Sequence, residues 1–143
     1  MTYVITGILF IVSALGALGA ESIKVYTPWV RAVPSVSSVT AVYMVIENTG
    51  DVDDKLTDVK TTASKYSDIH TTRIDQYNVA SMLKVEYLPL PSGEIVELKP
   101  GGYHIMLREL YSPVKVGEKV IIDLVFDKSG TISIEAEVRE DSS

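Results

Sequence analysis

The chain has 143 residues, a formal net charge of −6, no cysteine and 46% hydrophobic residues. That length makes one domain with one proper hydrophobic core, and the acidic balance argues against a nucleic-acid partner. The missing thiols exclude disulfide staples, zinc ribbons, cysteine nucleophiles and a blue-copper electron-transfer centre, which needs a Cys thiolate.

Residues 1–20 carry no charged side chain, and Ile5 to Leu18 is largely apolar. Ala14-Leu15-Gly16-Ala17-Leu18-Gly19-Ala20 then supplies small residues ahead of the polar Glu21-Ser22. This is the pattern of a secretory signal cleaved after Ala20, which makes residues 21–143 an exported domain. A retained signal anchor is the alternative, because the segment lacks Lys and Arg and is nearly long enough to span a bilayer. The protein touches a membrane only in that case, and no Cys is present for a lipid anchor.

The rest reads as short strands separated by turns. Ile23-Lys24-Val25-Tyr26 begins the first and leads into Pro28-Trp29-Val30-Arg31. Pro34 to Ser38 is a polar loop. Val39 to Asn48 is a long strand of high β-propensity, closed by the turn Asn48-Thr49-Gly50-Asp51. Lys55 to Lys60 is a strand, Ser67 to Thr72 another, and Arg73 to Asn78 a polar connection. Ala80 to Tyr87 follows, then a loop from Pro89 to Gly93 and a strand from Glu94 to Lys99. Pro100-Gly101-Gly102 turns the chain into Tyr103 to Leu110. Val120, Ile122, Leu124 and Phe126 alternate with Ile121, Asp123, Val125 and Asp127. After Lys128-Ser129-Gly130, Ile132, Ile134, Ala136 and Val138 alternate with Thr131, Ser133, Glu135 and Glu137. That is a half-buried antiparallel hairpin. Several short strands at this spacing predict an all-β sandwich or barrel.

The chemistry gathers around four side chains. In Tyr103-His104-Ile105-Met106-Leu107, period-2 alternation puts Tyr103, Ile105 and Leu107 on a core face and His104 with Met106 on the other. An imidazole and a thioether side by side suit a soft ion such as Cu(I). The chain has only two histidines and four methionines. His70 precedes Met82 by eleven intervening residues; twenty-one more separate Met82 from His104, and one separates His104 from Met106. Taken singly, His70 reads as a surface histidine and Met82 as core; Met44 reads as core, and Met1 goes with the signal.

This spacing, with the Gly-Gly-Tyr-His-Ile-Met-Leu run, resembles the periplasmic copper chaperones of the PCu(A)C type (DUF461). Trp29-Val30-Arg31, Ala41-Val42-Tyr43, Glu47-Asn48-Thr49-Gly50-Asp51, Asp54-Lys55-Leu56 and Leu98-Lys99-Pro100-Gly101-Gly102 extend the likeness over residues 25–139. The resemblance implies a cupredoxin-like Greek-key β-sandwich and a Cu(I) site made of His70, Met82, His104 and Met106, compact and open to solvent at one end of the sandwich. It also implies a periplasmic or otherwise extracytoplasmic metallochaperone, not an enzyme. Its copper would go to the binuclear site of cytochrome c oxidase subunit II, with a thioredoxin-like Sco protein as a further partner. The position after the first histidine, often Met in the family, is Thr71 here, and the Met- and His-bearing C-terminal tail of some members is absent.

Competing readings are weaker on chemistry. A non-metal interaction module would make the His/Met face incidental. A copper oxidase would need cycling to Cu(II), which thioethers disfavour. Asp51-Val52-Asp53-Asp54 lacks the third alternate carboxylate, the Gly and the distal Glu of an EF-hand and reads as a solvated turn. No Gly-x-Ser-x-Gly nucleophile motif occurs. Trp29 reads as a packing anchor and Arg31 as one half of an ion pair.

Overall fold

The structure, a computed structural model, describes residues 22–141. The expected signal segment, residues 1–20, lies outside them. Ten strands and no helix occur among the described residues: β1 (Ile23–Arg31), β2 (Val39–Asn48), β3 (Asp54–Thr61), β4 (Ser64–Ile74), β5 (Ala80–Val85), β6 (Leu88–Leu90), β7 (Ile95–Leu98), β8 (His104–Leu110), β9 (Lys119–Phe126) and β10 (Gly130–Arg139). Their order across the sheet is β5-β4-β8-β2-β1-β10-β9-β3-β6, with β7 pairing on β2. Most neighbours are distant in sequence, as Greek-key winding requires, and β1 meets β10 in parallel while the other pairs are antiparallel.

The sheet folds over on itself as a sandwich. Its interior holds Val30, Val42, Met44, Ile46, Leu56, Ile69, Leu88, Leu90, Ile105, Leu107, Ile122, Leu124, Phe126, Ala136 and Val138. Ile105 and Leu107 are fully buried, as the alternation around His104 required. Burying each stabilises the fold by about 2–3 kcal/mol. The Ser67 hydroxyl donates to the Val59 carbonyl at 2.6 Å and ties β4 to β3 across the fold.

Four local features differ from the sequence expectation. β4 runs on through Arg73 to Ile74, so the polar connection shrinks to a tight turn. There the Asp75 carboxylate accepts from the Tyr77 and Val79 amides, and Asn78 takes φ of 63°. Pro89 lies in strand β6, not in a loop. Leu88 and Leu90 on either side of it are fully buried and pair with Leu56 and Asp54. β6 ends the sheet path, where a residue without an N–H is tolerated. Asp54 is not part of a solvated turn: its residue is 8% exposed. Its carboxylate accepts from the Lys55, Lys128 and Ser129 amides and from the Ser129 hydroxyl.

The fourth feature positions the site. β1 carries a bulge between Tyr26 and Trp29, with Thr27 at φ 46° and Pro28 supplying no donor. The extra residue sets Trp29 opposite Tyr43, so both rings share the face that points away from the core.

Candidate metal centre

Cross-strand register decides which side chains meet, because residues directly opposite share a face. His70 on β4 stands opposite His104 on β8. Asp68 stands opposite Met106, and Thr72 opposite Met82 on β5. On the other flank Met106 faces Ala41 of β2. The four predicted side chains therefore all lie on the outward face of β5, β4 and β8. The two imidazole centroids are 5.7 Å apart with a 32° tilt. Met82, His104 and Met106 line one cleft of about 200 Å³. His70 is not in that lining and flanks it through the His104 ring.

Exposure within the group is graded. His104 is 3% exposed and Met82 is 58% exposed, with His70 and Met106 between them. Open access to solvent thus holds for the β5 edge and not for His104. The core role expected of Met82 from its flanks alone does not apply, because β5 is an edge strand with little packed over it.

The His104 Nδ1 lies 3.2 Å from the Gly102 carbonyl oxygen. A carbonyl only accepts, so Nδ1 carries the proton and Nε2 holds a free lone pair. The Pro100-Gly101-Gly102 turn, with Gly101 at φ 86°, thereby sets the tautomer of the imidazole that follows it. His104 Nε2 and both ring nitrogens of His70 are buried without a hydrogen-bond partner. Leaving a buried polar atom unpaired costs about 1–3 kcal/mol. Three such atoms beside two thioethers fit a soft metal ion, for which neutral imidazole and thioether are matched donors. Among the described residues no group of three or more His, Cys, Asp or Glu side chains is placed to hold a metal ion.

Surrounding residues that the spacing did not point to shape the electrostatics. Asp68 is held by Arg108 at 2.7 Å and by Lys84 at 3.2 Å. Burial alone would raise its pKa, but the hydrogen bonds from Arg108 and Lys84 outweigh it and hold the carboxyl below its ordinary value. Its charge is thus already matched. Burial, then the neighbouring His104, push the His70 pKa below 6.5, while Asp68 pulls the other way and loses. His70 is therefore a neutral donor at neutral pH. Behind His104 stands Tyr43, 6.4 Å away between centroids, then Trp29 at 4.8 Å from Tyr43. Arg31 lies over the Tyr43 ring and Arg139 over Trp29. Trp29 is half-buried and packs on Tyr43 and Arg139 outside the hydrophobic core, and Arg31 pairs with Asp141 at 2.7 Å. Alternation in β2 puts Ala41 and Tyr43 on one face, but only the pairing of β2 with β8 brings that face to His104.

The LpqE-like family, described as "Putative lipoprotein LpqE-like", matches residues 23–138. "Putative lipoprotein Lxx21020" of Leifsonia xyli subsp. xyli is 27% identical over 122 residues, covering 85% of this chain and 72% of that protein. "Uncharacterized protein RP573" of Rickettsia prowazekii is 32% identical over 119 residues, covering 80% of this chain and 65% of that protein. Among solved structures, the copper-bound PCuAC domain from PmoF2 superposes with a TM-score of 0.72 at 28% identity, covering 84% of this chain and 94% of that one. The apo PCuAC domain from PmoF1 gives 0.73 at 29% identity, covering 84% and 95%. Cu(I)-DR1885 from Deinococcus radiodurans gives 0.67 at 30% identity, covering 91% and 88%. With a family match over nearly all of the described strands and the same cupredoxin-like sandwich in its structural neighbours, the chain belongs to the LpqE-like family, the PCu(A)C (DUF461) group of domains.

Proposed function

We propose that this protein is an extracytoplasmic Cu(I) metallochaperone, with His70, Met82, His104 and Met106 as the ligands of its cargo ion. The observation that carries this reading is the set of three buried, unpartnered imidazole nitrogens beside a cleft that Met82 and Met106 line. The copper-bound and Cu(I)-bound states of the structural neighbours support it.

The chemistry follows from ligand type. Two thioethers favour Cu(I) over Cu(II), and two imidazoles add affinity. All four donors are neutral, and the nearby Asp68 is already paired with Arg108 and Lys84. The bound ion keeps its positive charge, which favours hand-over by ligand exchange over storage. Met82 is the exposed donor. It is the ligand an incoming acceptor would displace first, while His104, held by the Gly102 carbonyl, stays in place. The role is binding and transfer, with no catalytic turnover.

The acceptor that the family resemblance supplies is the binuclear copper site of cytochrome c oxidase subunit II, with a Sco-like protein as a further partner, in the periplasm or at the outer side of the membrane. The test is a Cu(I) titration of residues 21–143 against a competing Cu(I) chelator, anaerobically and under reducing conditions. One tight equivalent is expected, weakened about a hundredfold or more in the Met82→Ala/Met106→Ala variant. Equal binding by the two proteins would sink the ligand set. Loading cytochrome c oxidase subunit II with copper from the charged protein tests the acceptor separately.

A further inference from the structure

The cleft beside the proposed ligands reaches well past them. It runs from Met82 on β5 across Met106 on β8 and Tyr43 on β2 to Arg31 on β1. Arg31 is the one Lys, Arg, Asp or Glu side chain among the residues lining it, with His104 at the donor end. Between the two ends the floor is mostly apolar, with Ala41, Val39 and Val33.

We infer that this cleft is a docking groove for an extended segment of the copper acceptor, one carrying a carboxylate two or three residues from its own soft donor, with Arg31 as the carboxylate's partner. The inference rests on the chaperone reading and names the chemistry of the partner for that same site. Three observations carry it. The Arg31 guanidinium already donates to a carboxylate, that of Asp141, through Nη2 at 2.7 Å. The Arg31 side chain stays 34% exposed in that pair, so the guanidinium is open to a second acceptor group, and its planar fork suits two such groups. The third observation is spacing. β8 and β1 are separated by one strand, β2, and strands lie about 4.8 Å apart, so the donors of β8 and Arg31 are about 10 Å apart. An extended chain advances about 3.3 Å per residue, which sets the interval of two to three residues.

A free small carboxylate cannot reach both ends of such a groove, which is why a polypeptide segment is the occupant. The net charge of −6 disfavours an acidic partner as a whole, so the recognised carboxylate is a local feature of a partner that is elsewhere neutral or basic. Asp141 belongs to the short tail after β10 and shares Arg31 with the incoming group.

The test uses the Cu(I)-loaded and the apo forms of residues 21–143. The probes are blocked peptides with one Met and one Asp spaced by one or two alanines, beside their Asn counterparts. Binding is followed by the emission of Trp29, the single tryptophan, whose ring sits 4.8 Å from Tyr43 in the groove wall. The Asp peptides are expected to bind about tenfold tighter than the Asn peptides, the value of one charge-assisted hydrogen bond. Arg31→Gln removes that preference, with urea unfolding run beside it to establish that the variant is folded. Asp141→Asn, which leaves Arg31 in place and removes its competitor, raises Asp-peptide affinity severalfold. Equal binding of Asp and Asn peptides would overturn the inference. So would a preference that survives Arg31→Gln, a loss of affinity in Asp141→Asn, or displacement of the Asp peptide by acetate at equal concentration. Failure of the Cu(I) titration with an Asp preference retained by the apo protein sinks the chaperone reading and leaves the groove. Tight Cu(I) binding without the preference sinks the groove alone.

Discussion

Two buried polar clusters in this molecule are built on opposite terms. At the β3 start, the Asp54 carboxylate takes four hydrogen bonds, from Lys55, Lys128 and both the amide and hydroxyl of Ser129. It joins segments more than seventy residues apart in the chain, and its polar atoms are matched. Between β4 and β8, His70 and His104 place three ring nitrogens out of water with no partner at all. The first arrangement stabilises the fold. The second costs the fold stability, and a chain keeps such a cost where the unpaired atoms have another use. Satisfaction of hydrogen bonds, more than burial, separates the structural polar cluster from the functional one.

The largest effect that would test this contrast is expected at Asp54. Asp54→Ala should lower stability by about 3 kcal/mol, since it strands buried amide donors. Urea unfolding reads that loss, and the Cu(I) stoichiometry of the folded protein should not change. The converse substitution is His70→Phe. It keeps the ring volume and removes two unpaired nitrogens, so stability should hold or rise by up to about 1 kcal/mol. Cu(I) affinity should fall by about thirtyfold, or about 2 kcal/mol. A His70→Phe protein that unfolds readily and still binds Cu(I) tightly would reverse the assignment of roles.

The pH windows sharpen the comparison further. Burial opposes ionisation of Asp54, but its hydrogen bonds, that of Ser129 foremost, win and hold its pKa below the ordinary 3.8. A depressed carboxylate contributes stability that is complete above the unfolded-state value and is lost as pH falls through the folded one. Stability from Asp54 should therefore persist to about pH 4 and drop only below it, with Asp54→Asn flattening that drop. His70 is also depressed, from 6.5, so its effect has the same sign in a different window. Its contribution is complete above 6.5 and is lost as pH falls through its lowered folded value. Cu(I) binding should accordingly survive acidification just past pH 6.5. A titration in which binding halves at 6.5 would show that the fold does not keep His70 neutral. The smallest effect belongs to an exposed pair remote from both clusters: Lys119→Ala, which removes the 3.3 Å contact to Glu135, should change stability by no more than about 0.5 kcal/mol.

Much of this could be read along the chain. The strand at Val39–Asn48 and the β9–β10 hairpin follow from β-propensity and strict alternation, because one face of each must avoid water. Met44 in the core, and Ile105 and Leu107 behind His104, follow from the same rule. The β6 strand was hidden because its proline signals a loop wherever the edge position is unknown. Asp54 was hidden because a carboxylate's partners, Lys128 and Ser129, lie far along the chain. Asp68, Arg108, Tyr43 and Arg31 went unremarked as site neighbours for a related reason: each is an ordinary strand residue until register says what stands opposite it.

By itself, then, the sequence determined the residue types, the alternation and the turns: an all-β domain with two imidazoles and two thioethers at telling intervals. These are local properties, dictated by which side chains can face water and which backbone positions a proline or glycine permits. Tertiary structure decided the rest. The pairing of β4 with β8 sets His70 against His104, and the bulge at Thr27-Pro28 turns Trp29 toward Tyr43. The position of β5 at the sheet edge leaves Met82 exposed, and the nearness of β1 carries Arg31 to the far end of the cleft. Such contacts depend on strand order and register, which arise from hydrogen bonds between distant segments, and no window of sequence contains both partners.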